Sequence, residues 1–503
     1  MANLYNLLHA CFPVVSTCTF VTLGDGSVMT YADLEQGSAR YSNLLVAIGV
    51  APGARVAVQA PKSIDMIMLY LACLRTGAIF LPLNTAYTAG ELDYFMRDAH
   101  PALFVCDPAH VDMIGPLAEA AGVPRVETLG ASGDGSLAAE AKGFAGEFLT
   151  IELGDDDLAA ILYTSGTTGR SKGAMLSHGN LASNCFTLRD CWRFTAKDTL
   201  LHVLPIFHTH GLFVATNVTL AAGANMIFLP SFEVGAVLTA LPRATAMMGV
   251  PTFYIRLLNE ARFTRGLVTH MRLFVSGSAP LSSDIHREFY ERTGHAILER
   301  YGMTETNMNT TNPYDGERIA GTVGQPLPGV AIRIADPETG RVLQTDEIGV
   351  IEIKGANVFK GYWNMPDKTA AEFRDGYFIS GDLGFINPEG YVSIVGRAKD
   401  LIISGGYNVY PAEVEAALDE LAQVRESSVV GVPHPDLGEG VVGVVVPANA
   451  GFDDAAALTA GLAEKLARFK QPRRIVFVDE LPKNGMGKVQ KTVLRDQLAN
   501  TFK

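Results

Sequence analysis

Between residues 50 and 300, the sequence alternates short apolar runs with longer amphipathic stretches. The run RVAVQAP at 55–61 predicts a strand, residues 63–76 predict a helix, and AIFLPL after them predicts the next strand. Thr88 and Glu91 form a capping-box pattern, which predicts the start of another helix. Such alternation is typical of parallel sheets covered by helices, so we expect an α/β fold.

The rest of the chain predicts a division into two domains. The α/β rhythm continues with strands predicted at 102–106, 159–164, 225–230 and 271–276. From about 320 to 398, short strands alternate with glycine-rich turns, which predicts a β-rich subdomain. We expect a large N-terminal domain over 1–398, a small α+β C-terminal domain over 399–503, and a surface loop at the alanine- and glycine-rich stretch 130–146.

Composition narrows the class of protein. Acidic residues outnumber basic ones by 53 to 40, giving a formal charge of −13, which disfavours nucleic acid and anionic membranes as partners. The six cysteines form no CxxC pair, so a zinc site is not expected and the thiols fit a reducing compartment. The N-terminus lacks a secretory signal pattern, and we expect a cytoplasmic enzyme.

A glycine-rich segment, YTSGTTGRSKG at 163–173, follows a predicted strand and is expected to precede a helix. Its glycines permit backbone conformations that are closed to other residues, and its successive N–H groups can wrap an anion. Lys172 adds a positive charge, whereas the Walker A spacing is absent. We therefore expect this segment, rather than an ordinary surface loop, to hold the β- and γ-phosphates of ATP.

The segment resembles the signature loop of the adenylate-forming superfamily, which includes acyl-CoA synthetases, peptide-synthetase adenylation domains and luciferases. Further family motifs follow in the family's order: SGSAP at 276–280, YGMTE at 301–305, GDLG at 381–384, GRAKD at 396–400, SGGYNVYP at 404–411 and PKNGMGKVQK at 482–491. The resemblance thus covers nearly the whole chain. It implies that ATP and Mg²⁺ activate a carboxylic acid as an acyl-adenylate, which is then transferred to coenzyme A.

The resemblance also implies site residues for the nucleotide. Tyr301 would flank the adenine, Thr304 would contact the α-phosphate, and Asp382 with Arg397 would hold the ribose. Glu305, together with Thr164, would hold Mg²⁺, whose preferred ligands are oxygens. The implied nucleotide-binding set is Thr164, Ser165, Gly166, Thr167, Thr168, Gly169, Lys172, Ser278, Ala279, Pro280, Tyr301, Gly302, Met303, Thr304, Asp382 and Arg397.

The C-terminal motifs imply a domain that moves between two half-reactions. Lys399 matches the family's hinge residue, about which the C-terminal domain turns. Gly405, Gly406 and Tyr407 would meet the pantetheine arm of coenzyme A. Lys488 would bridge the substrate carboxylate and the α-phosphate. Because Lys488 lies on an open loop, we hypothesise that a lysine acetyltransferase and deacetylase control it; full adenylation activity of an acetylated sample would refute this.

The acyl pocket is expected near 202–211, the helix after Pro251 and the two motifs SGSAP and YGMTE. Residues 207–211 contain no acid, which argues against an amino-acid substrate. Arg256 and Arg300 favour a dicarboxylate, because a guanidinium can bind the second carboxylate bidentately. Alternatively, Arg300 pairs with Glu299 or Glu291, and Arg256 caps a surface helix.

Among family members, the sequence is most similar to malonyl-CoA synthetases. That likeness implies that Arg256, Arg300 and Ser278 (or Ser276 in its place) hold the distal carboxylate of malonate. Thr209 and Met308 would line the pocket beside the α-carbon and decide whether methylmalonate fits. His208 would either contact the acyl group or pack as an ordinary aromatic ring; with Lys488, Thr304 and Glu305, it completes the implied catalytic set.

Three alternatives remain open from the sequence. One is a ligase of the same fold for another short-chain or aryl acid. A second is an enzyme that delivers the acyl group to a carrier protein, although no carrier domain is seen after residue 503. The third is a non-catalytic nucleotide-binding regulator, which the joint presence of Lys488, Glu305, Asp382 and Arg397 disfavours.

Overall fold

The computed structural model describes residues 3–164, 171–405, 407–463, 465–484 and 487–502. Its first part contains α1 Leu4–His9, β1 Thr19–Leu23, β2 Val28–Thr30, α2 Tyr31–Ala47, β3 Arg55–Gln59, α3 Ile64–Thr76, β4 Ile79–Pro82, α4 Ala89–Ala99, β5 Leu103–Cys106, α5 Val111–Ala120, β6 Val126–Thr128, α6 Ser136–Ala141 and β7 Leu158–Thr164. The predicted capping box is present at α4, where the Thr88 side chain accepts from the Glu91 N–H and the Glu91 carboxylate accepts from the Thr88 N–H.

The middle part supplies most of the second helix-covered sheet. Its elements are β8 Lys172–Ser177, α7 His178–Cys191, β9 Thr199–His202, α8 Asn217–Ala221, β10 Asn225–Phe228, α9 Val234–Ala240, β11 Ala246–Gly249, α10 Pro251–Leu258, α11 Arg265–Val268, β12 Leu273–Ser276, α12 Ser283–Thr293, β13 Leu298–Met303, β14 Asn307–Thr311 and β15 Gln325–Pro326. A π-helical segment, His210–Thr216, immediately precedes α8.

The last part holds β16 Val330–Ala335, β17 Gly349–Gly355, α13 Pro366–Ala371, β18 Phe373–Arg374, β19 Tyr377–Ile386, β20 Val392–Arg397, β21 Ile402–Ser404, β22 Tyr407–Val409, α14 Pro411–Asp419, β23 Val424–His434, β24 Gly438–Pro447, α15 Ala455–Ala463, β25 Arg474–Phe477 and α16 Lys491–Leu498. A short 3₁₀ turn, Ala398–Asp400, lies between β20 and β21.

Four sheets organise these elements. The six-stranded sheet has the order β6-β5-β3-β4-β7-β8, and the nine-stranded sheet has the order β15-β14-β13-β12-β11-β9-β10-β1-β2. Their central neighbours pair in parallel, as the βα rhythm predicts, and helices bury their apolar faces against both sheets. The α/β fold class is therefore confirmed.

The other two sheets are mainly antiparallel. One joins β16, β17, β19, β18 and β20, all within the region predicted to be β-rich. The other joins β22, β21, β24 and β23, with β25 parallel to β24, and has its own apolar core around Val414, Leu418 and Val445. The sheets change between Arg397 and Ile402, which agrees with the expected position of Lys399, although its action as a hinge stays a prediction.

Two local predictions are wrong. The stretch 130–146 contains α6, which buries Leu137, Ala138 and Ala141 because apolar side chains recur there at helical spacing. The glycine-rich segment is followed by a strand instead of a helix: β8 runs antiparallel to β7, with Thr164 opposite Lys172.

The sheet topology places one group of strand ends at a common edge. Strands β9, β11, β12 and β13 are parallel neighbours, so their carboxyl ends lie side by side. In open α/β sheets, ligands bind outside the carboxyl ends of parallel strands. Within the part of the chain that the structure describes, no helix has the length and apolarity that crossing a membrane requires.

Candidate active site

The expected ribose pair is formed by neighbouring strands. Asp382 of β19 and Arg397 of β20 are cross-strand partners, and Arg397 Nε lies 2.7 Å from Asp382 Oδ1. The hydroxyl of Tyr301 donates to Asp382 Oδ2, and the Ser380 hydroxyl accepts from the Asp382 N–H. These contacts fix a buried carboxylate beside an aromatic ring, an arrangement that suits a ribose and its base.

The YGMTE segment is the end of a strand and a hairpin turn. Tyr301, Gly302 and Met303 belong to β13, and residues 304–306 form the turn into β14. Glu305 is buried in this turn, and burial raises the pKa of its carboxyl. A buried carboxylate held near phosphates can supply one oxygen ligand to Mg²⁺, which commonly takes its other ligands from water and phosphate.

Lys172 is linked to the Glu305 carboxylate through Glu372 and Tyr362, a connection that was not predicted from the sequence. Its ammonium lies 3.0 Å from Glu372 Oε1 and 4.0 Å from the centre of the Tyr362 ring. The Tyr362 hydroxyl lies 3.0 Å from Glu305 Oε1 and 2.7 Å from Glu372 Oε2. Lys172 is thus already paired at the base of the phosphate segment, so its expected contact with phosphate has a competing partner.

Lys488 reaches the same site from the C-terminal domain. Its loop is held by hydrogen bonds between Asn484 and the backbone of Lys488, and Gly487 packs near Thr252 of α10. Burial lowers the pKa of Lys488; Arg397 and Arg300 act in the same direction, and Asp382 opposes them. Lys488 as a whole residue is solvent-exposed, while its ammonium interacts electrostatically with Arg397, Asp382 and Arg300.

Arg300 lies at the acyl end of the site, and no described residue acts as its counter-ion. Its side chain is 3% exposed, and its Nε and Nη2 atoms have no hydrogen-bond partner among the described residues. Burial lowers its pKa to about 9, which still leaves it charged at neutral pH. Glu299 cannot pair with it because adjacent residues of a strand point to opposite faces.

Other polar atoms around Arg300 are also unsatisfied. His210, which is close enough to Arg300 for the two charges to interact, has a buried Nε2 atom without a partner within the described ranges, and so does the hydroxyl of the preceding Thr209. Ser278 has a φ of 70°, and its hydroxyl lies 3.2 Å from His210 Nδ1. Buried polar groups are normally hydrogen-bonded, so this group of atoms indicates a site for a small polar ligand.

His208 interacts electrostatically with both cations of the site, Lys488 and Arg300. Burial, together with the charges of Lys488 and Arg300, lowers its pKa to about 3. Its Nδ1 accepts the backbone N–H of His210 at 3.3 Å. His208 is therefore neutral at physiological pH and can offer a hydrogen bond without adding charge.

Some expected residues occupy less decisive positions. Met308 is buried on β14 and its methyl group packs on Gly302; Ala279 is partly buried, and Pro280 is exposed. Gly405 bonds to Leu437, and Tyr407 stacks on Phe469 at 4.7 Å, so both make their contacts within the C-terminal domain. The expected Ser165, Gly166, Thr167, Thr168, Gly169 and Gly406 lie outside the described residues.

The part of Arg256 in binding a carboxylate stays a prediction. Arg256 lies on the exposed side of α10, with no ion pair to any described residue. The sequence also missed Glu299, whose Oε1 is buried without a described partner and whose pKa burial raises to about 8. It lies beside Ser276 in the sheet register, so the side chains of both residues lie on the face of the sheet opposite to Arg300.

Comparison with known proteins identifies the family to which this chain belongs. The sequence profile of the family described as AMP-binding enzyme matches residues 13–363, and that of the AMP-binding enzyme C-terminal domain matches residues 413–488. The chain belongs to the AMP-binding enzymes. Within this family it is similar to MatB from Rhodopseudomonas palustris, solved with ATP bound: 56% identity, 100% of both chains covered, and a TM-score of 0.98.

Named relatives of this AMP-binding enzyme include several CoA ligases. A feruloyl-CoA synthase from Amycolatopsis sp is 37% identical, with 93% of this chain and 94% of the relative covered. A malonate–CoA ligase from Arabidopsis thaliana is 32% identical, with 99% and 90% covered. The protein is an adenylate-forming acid–CoA ligase that uses ATP, Mg²⁺ and coenzyme A.

Proposed function

We propose that this ligase joins malonate to coenzyme A through a malonyl-adenylate, giving malonyl-CoA, AMP and pyrophosphate, and that methylmalonate is a further substrate. The observation that carries the proposal is the buried, unpaired guanidinium of Arg300. After one carboxylate of malonate has formed the mixed anhydride, the other remains anionic and can bind this group. A buried charge is strongly unfavourable without such a partner.

The neutral groups around Arg300 support a small polar acid. Thr209 and His210 each present an unsatisfied polar atom, and a ferulate-like ring would leave both of them unpaired. One named relative supports the same substrate class, the malonate–CoA ligase of Arabidopsis thaliana at 32% identity. The feruloyl-CoA synthase at 37% identity keeps an aryl acid as the alternative to be tested.

In the first half-reaction, a carboxylate oxygen of malonate attacks the α-phosphorus of ATP, and pyrophosphate leaves. The Lys488 ammonium offsets the negative charge where the two anions meet. Asp382, Arg397 and Tyr301 hold the nucleoside in place, while Arg300 fixes the distal carboxylate. Glu305 with Thr164 would hold Mg²⁺, which would neutralise phosphate charge when bound.

In the second half-reaction, the thiolate of coenzyme A attacks the anhydride carbonyl, and AMP leaves. Lys488 faces the N-terminal site in this structure, whereas Gly405 and Tyr407 make their contacts elsewhere in the C-terminal domain. Rotation of the C-terminal domain about Lys399 would exchange the two segments. The ion pair between Asp400 and Arg495 ties the proposed hinge turn to α16, so the domain would turn as one body.

The direct test is thioester formation from MgATP and coenzyme A across acetate, propionate, malonate, methylmalonate, succinate, benzoate and ferulate. We expect kcat/KM for malonate to exceed that for propionate by at least about 100-fold, because only malonate can form a charge-assisted bidentate contact between its distal carboxylate and Arg300. Preference for propionate, benzoate or ferulate over malonate would refute the proposed substrate and leave the ligase chemistry intact.

A further inference from the structure

Lys62 precedes the first turn of α3, and its ammonium is enclosed by the protein on the β9 side of the acyl pocket. The Nζ atom lies 3.1 Å from His202 Nδ1, 3.0 Å from the His202 carbonyl oxygen and 2.7 Å from the Leu229 carbonyl oxygen. It also stands 4.2 Å above the centre of the Phe228 ring. An ammonium has three N–H donors, and here each has an acceptor.

The hydrogen bonds of His202 fix the charge of Lys62. His202 Nε2 lies 2.9 Å from the Gly211 carbonyl and 3.2 Å from the Thr216 hydroxyl, which itself donates to the same carbonyl. Nε2 must therefore carry a proton. Burial, followed by Lys62, lowers the pKa of His202 well below its ordinary value, so the ring is neutral and Nδ1 is an acceptor. Lys62 consequently donates three bonds, which only the charged ammonium can do.

This buried cation has no counter-ion among the residues that the structure describes. Lys62 forms no ion pair with the described carboxylates, and burial alone lowers its pKa. Carbonyl dipoles and the Phe228 ring compensate part of the charge. The remaining field acts on its surroundings, because charges interact more strongly inside a protein than in water.

A series of contacts connects the neighbours of Lys62 to the acyl pocket. His202 is the last residue of β9, and burial followed by the charge of Arg300 lowers the pKa of His210. Gly211, which accepts from His202, follows His210 in the π-helical segment, and His210 Nδ1 lies 3.2 Å from the Ser278 hydroxyl. One continuous set of contacts thus connects Lys62 to the side chains around the unpaired Arg300.

We infer that Lys62 is a specificity-determining residue: a second buried cation behind the acyl pocket that favours acids with two carboxylates over acids with one. This rests on the proposed function, since it concerns the distal carboxylate of the same substrate. Lys62 acts without touching the substrate, both through its charge and by holding His202 and the 210–211 backbone in place.

The test compares malonate with propionate, which has a methyl group in place of the second carboxylate. Lys62→Met removes the charge, Lys62→Arg retains it, and Lys197→Met removes a charge from an exposed position of the same domain. We expect Lys62→Met to lower the malonate-to-propionate ratio of kcat/KM about tenfold, equivalent to about 1.4 kcal/mol. Lys62→Arg should restore most of the ratio, and Lys197→Met should leave it unchanged.

If Lys62→Met lowers kcat/KM equally for both acids, or lowers it for neither, the malonate-to-propionate ratio is unchanged. That result would overturn the inference and leave Lys62 a purely structural residue. If Lys62→Met does not fold, the ratio for Lys62→Gln against Lys62→Arg decides the question in the same way. The wild-type enzyme separates the two claims. A wild type that ignores malonate refutes the proposed function; one that prefers malonate while Lys62→Met keeps the full preference refutes only the inference.

Discussion

The nucleotide side and the acyl side of this site differ in how their polar groups are satisfied. On the nucleotide side, Asp382 is paired with Arg397 and Tyr301, and Lys172 is paired with Glu372. On the acyl side, Arg300 and the neighbouring polar atoms have no described partner. A paired group is held in position before the ligand binds. An unpaired buried group, in contrast, is stabilised only when a ligand binds to it.

This difference assigns separate tasks to the two sides. The paired side is preorganised for a ligand that every member of the family shares, so its residues serve catalysis with any acid. The unpaired side discriminates, because an acid that cannot satisfy Arg300 leaves a buried charge uncompensated. Substitutions on the nucleotide side should therefore affect all acids alike, and substitutions on the acyl side should affect malonate selectively.

The largest effect is expected at Lys488, which belongs to both sides. Lys488→Ala should lower the rate of adenylation by about 10³-fold for every acid, because it removes the charge at the point where two anions meet. Pyrophosphate release measures this step. Lys483→Ala is the matched control, since Lys483 lies on the same loop but pairs with Glu426. A loss confined to malonate would contradict the assigned role.

On the nucleotide side, Asp382→Asn should raise KM for ATP on the order of 10–100-fold, because it leaves Arg397 and the ribose without a charged acceptor. The malonate-to-propionate ratio should stay constant. Steady-state kinetics with ATP varied at two fixed acids measures both quantities. A change in the ratio would show that the two sides are not independent.

On the acyl side, Gly277→Ala should lower kcat/KM for malonate about tenfold, because a methyl group there would lie 2.5 Å from Cζ of Arg300 and displace the guanidinium. The same variant should use propionate and ATP normally. Gly266→Ala, where the added methyl group meets open space, is the control. Equal rates for Gly277→Ala and the wild type would mean that the position of the guanidinium matters little.

The smallest effect concerns pH. Burial lowers the pKa of Lys488 from the ordinary 10.5, so its ammonium loses its proton at a lower pH than an exposed lysine does. The kcat/KM of adenylation, which reports the free enzyme, should therefore decline on the alkaline side of that lowered value for all acids alike. A pH–rate profile checks this. In Lys488→Arg the decline should move to higher pH, and an unmoved decline would assign it to another group.

Regular elements and short-range patterns were predictable from the sequence. The βα rhythm gave the sheets, and the pair Thr88 and Glu91 gave the start of α4, because their signals lie within a few residues. The helix in 130–146 was missed since its alanine and glycine content obscured three buried positions. The strand after the phosphate segment was missed because β8 is defined by its pairing with β7.

The site was predictable where motifs carry it and unpredictable where distant residues meet. Arg256 and Arg300 looked equivalent in the sequence, and only tertiary packing exposes one and buries the other. Lys172 meets Glu372 across 200 positions, and Lys62 meets His202 across 140. No local pattern encodes such contacts, so the pairing of Lys172 and the buried charge of Lys62 required the three-dimensional structure.

The most direct test of the central claim is the substitution Arg300→Met, with malonate and propionate compared in the pyrophosphate-release assay. Our account predicts that kcat/KM for malonate falls by about 100-fold or more, while KM for ATP and the rate with propionate are maintained or improve, since an unpaired buried charge has been removed. Retention of the malonate preference in Arg300→Met would contradict the account, because the distal carboxylate would then be recognised by other groups.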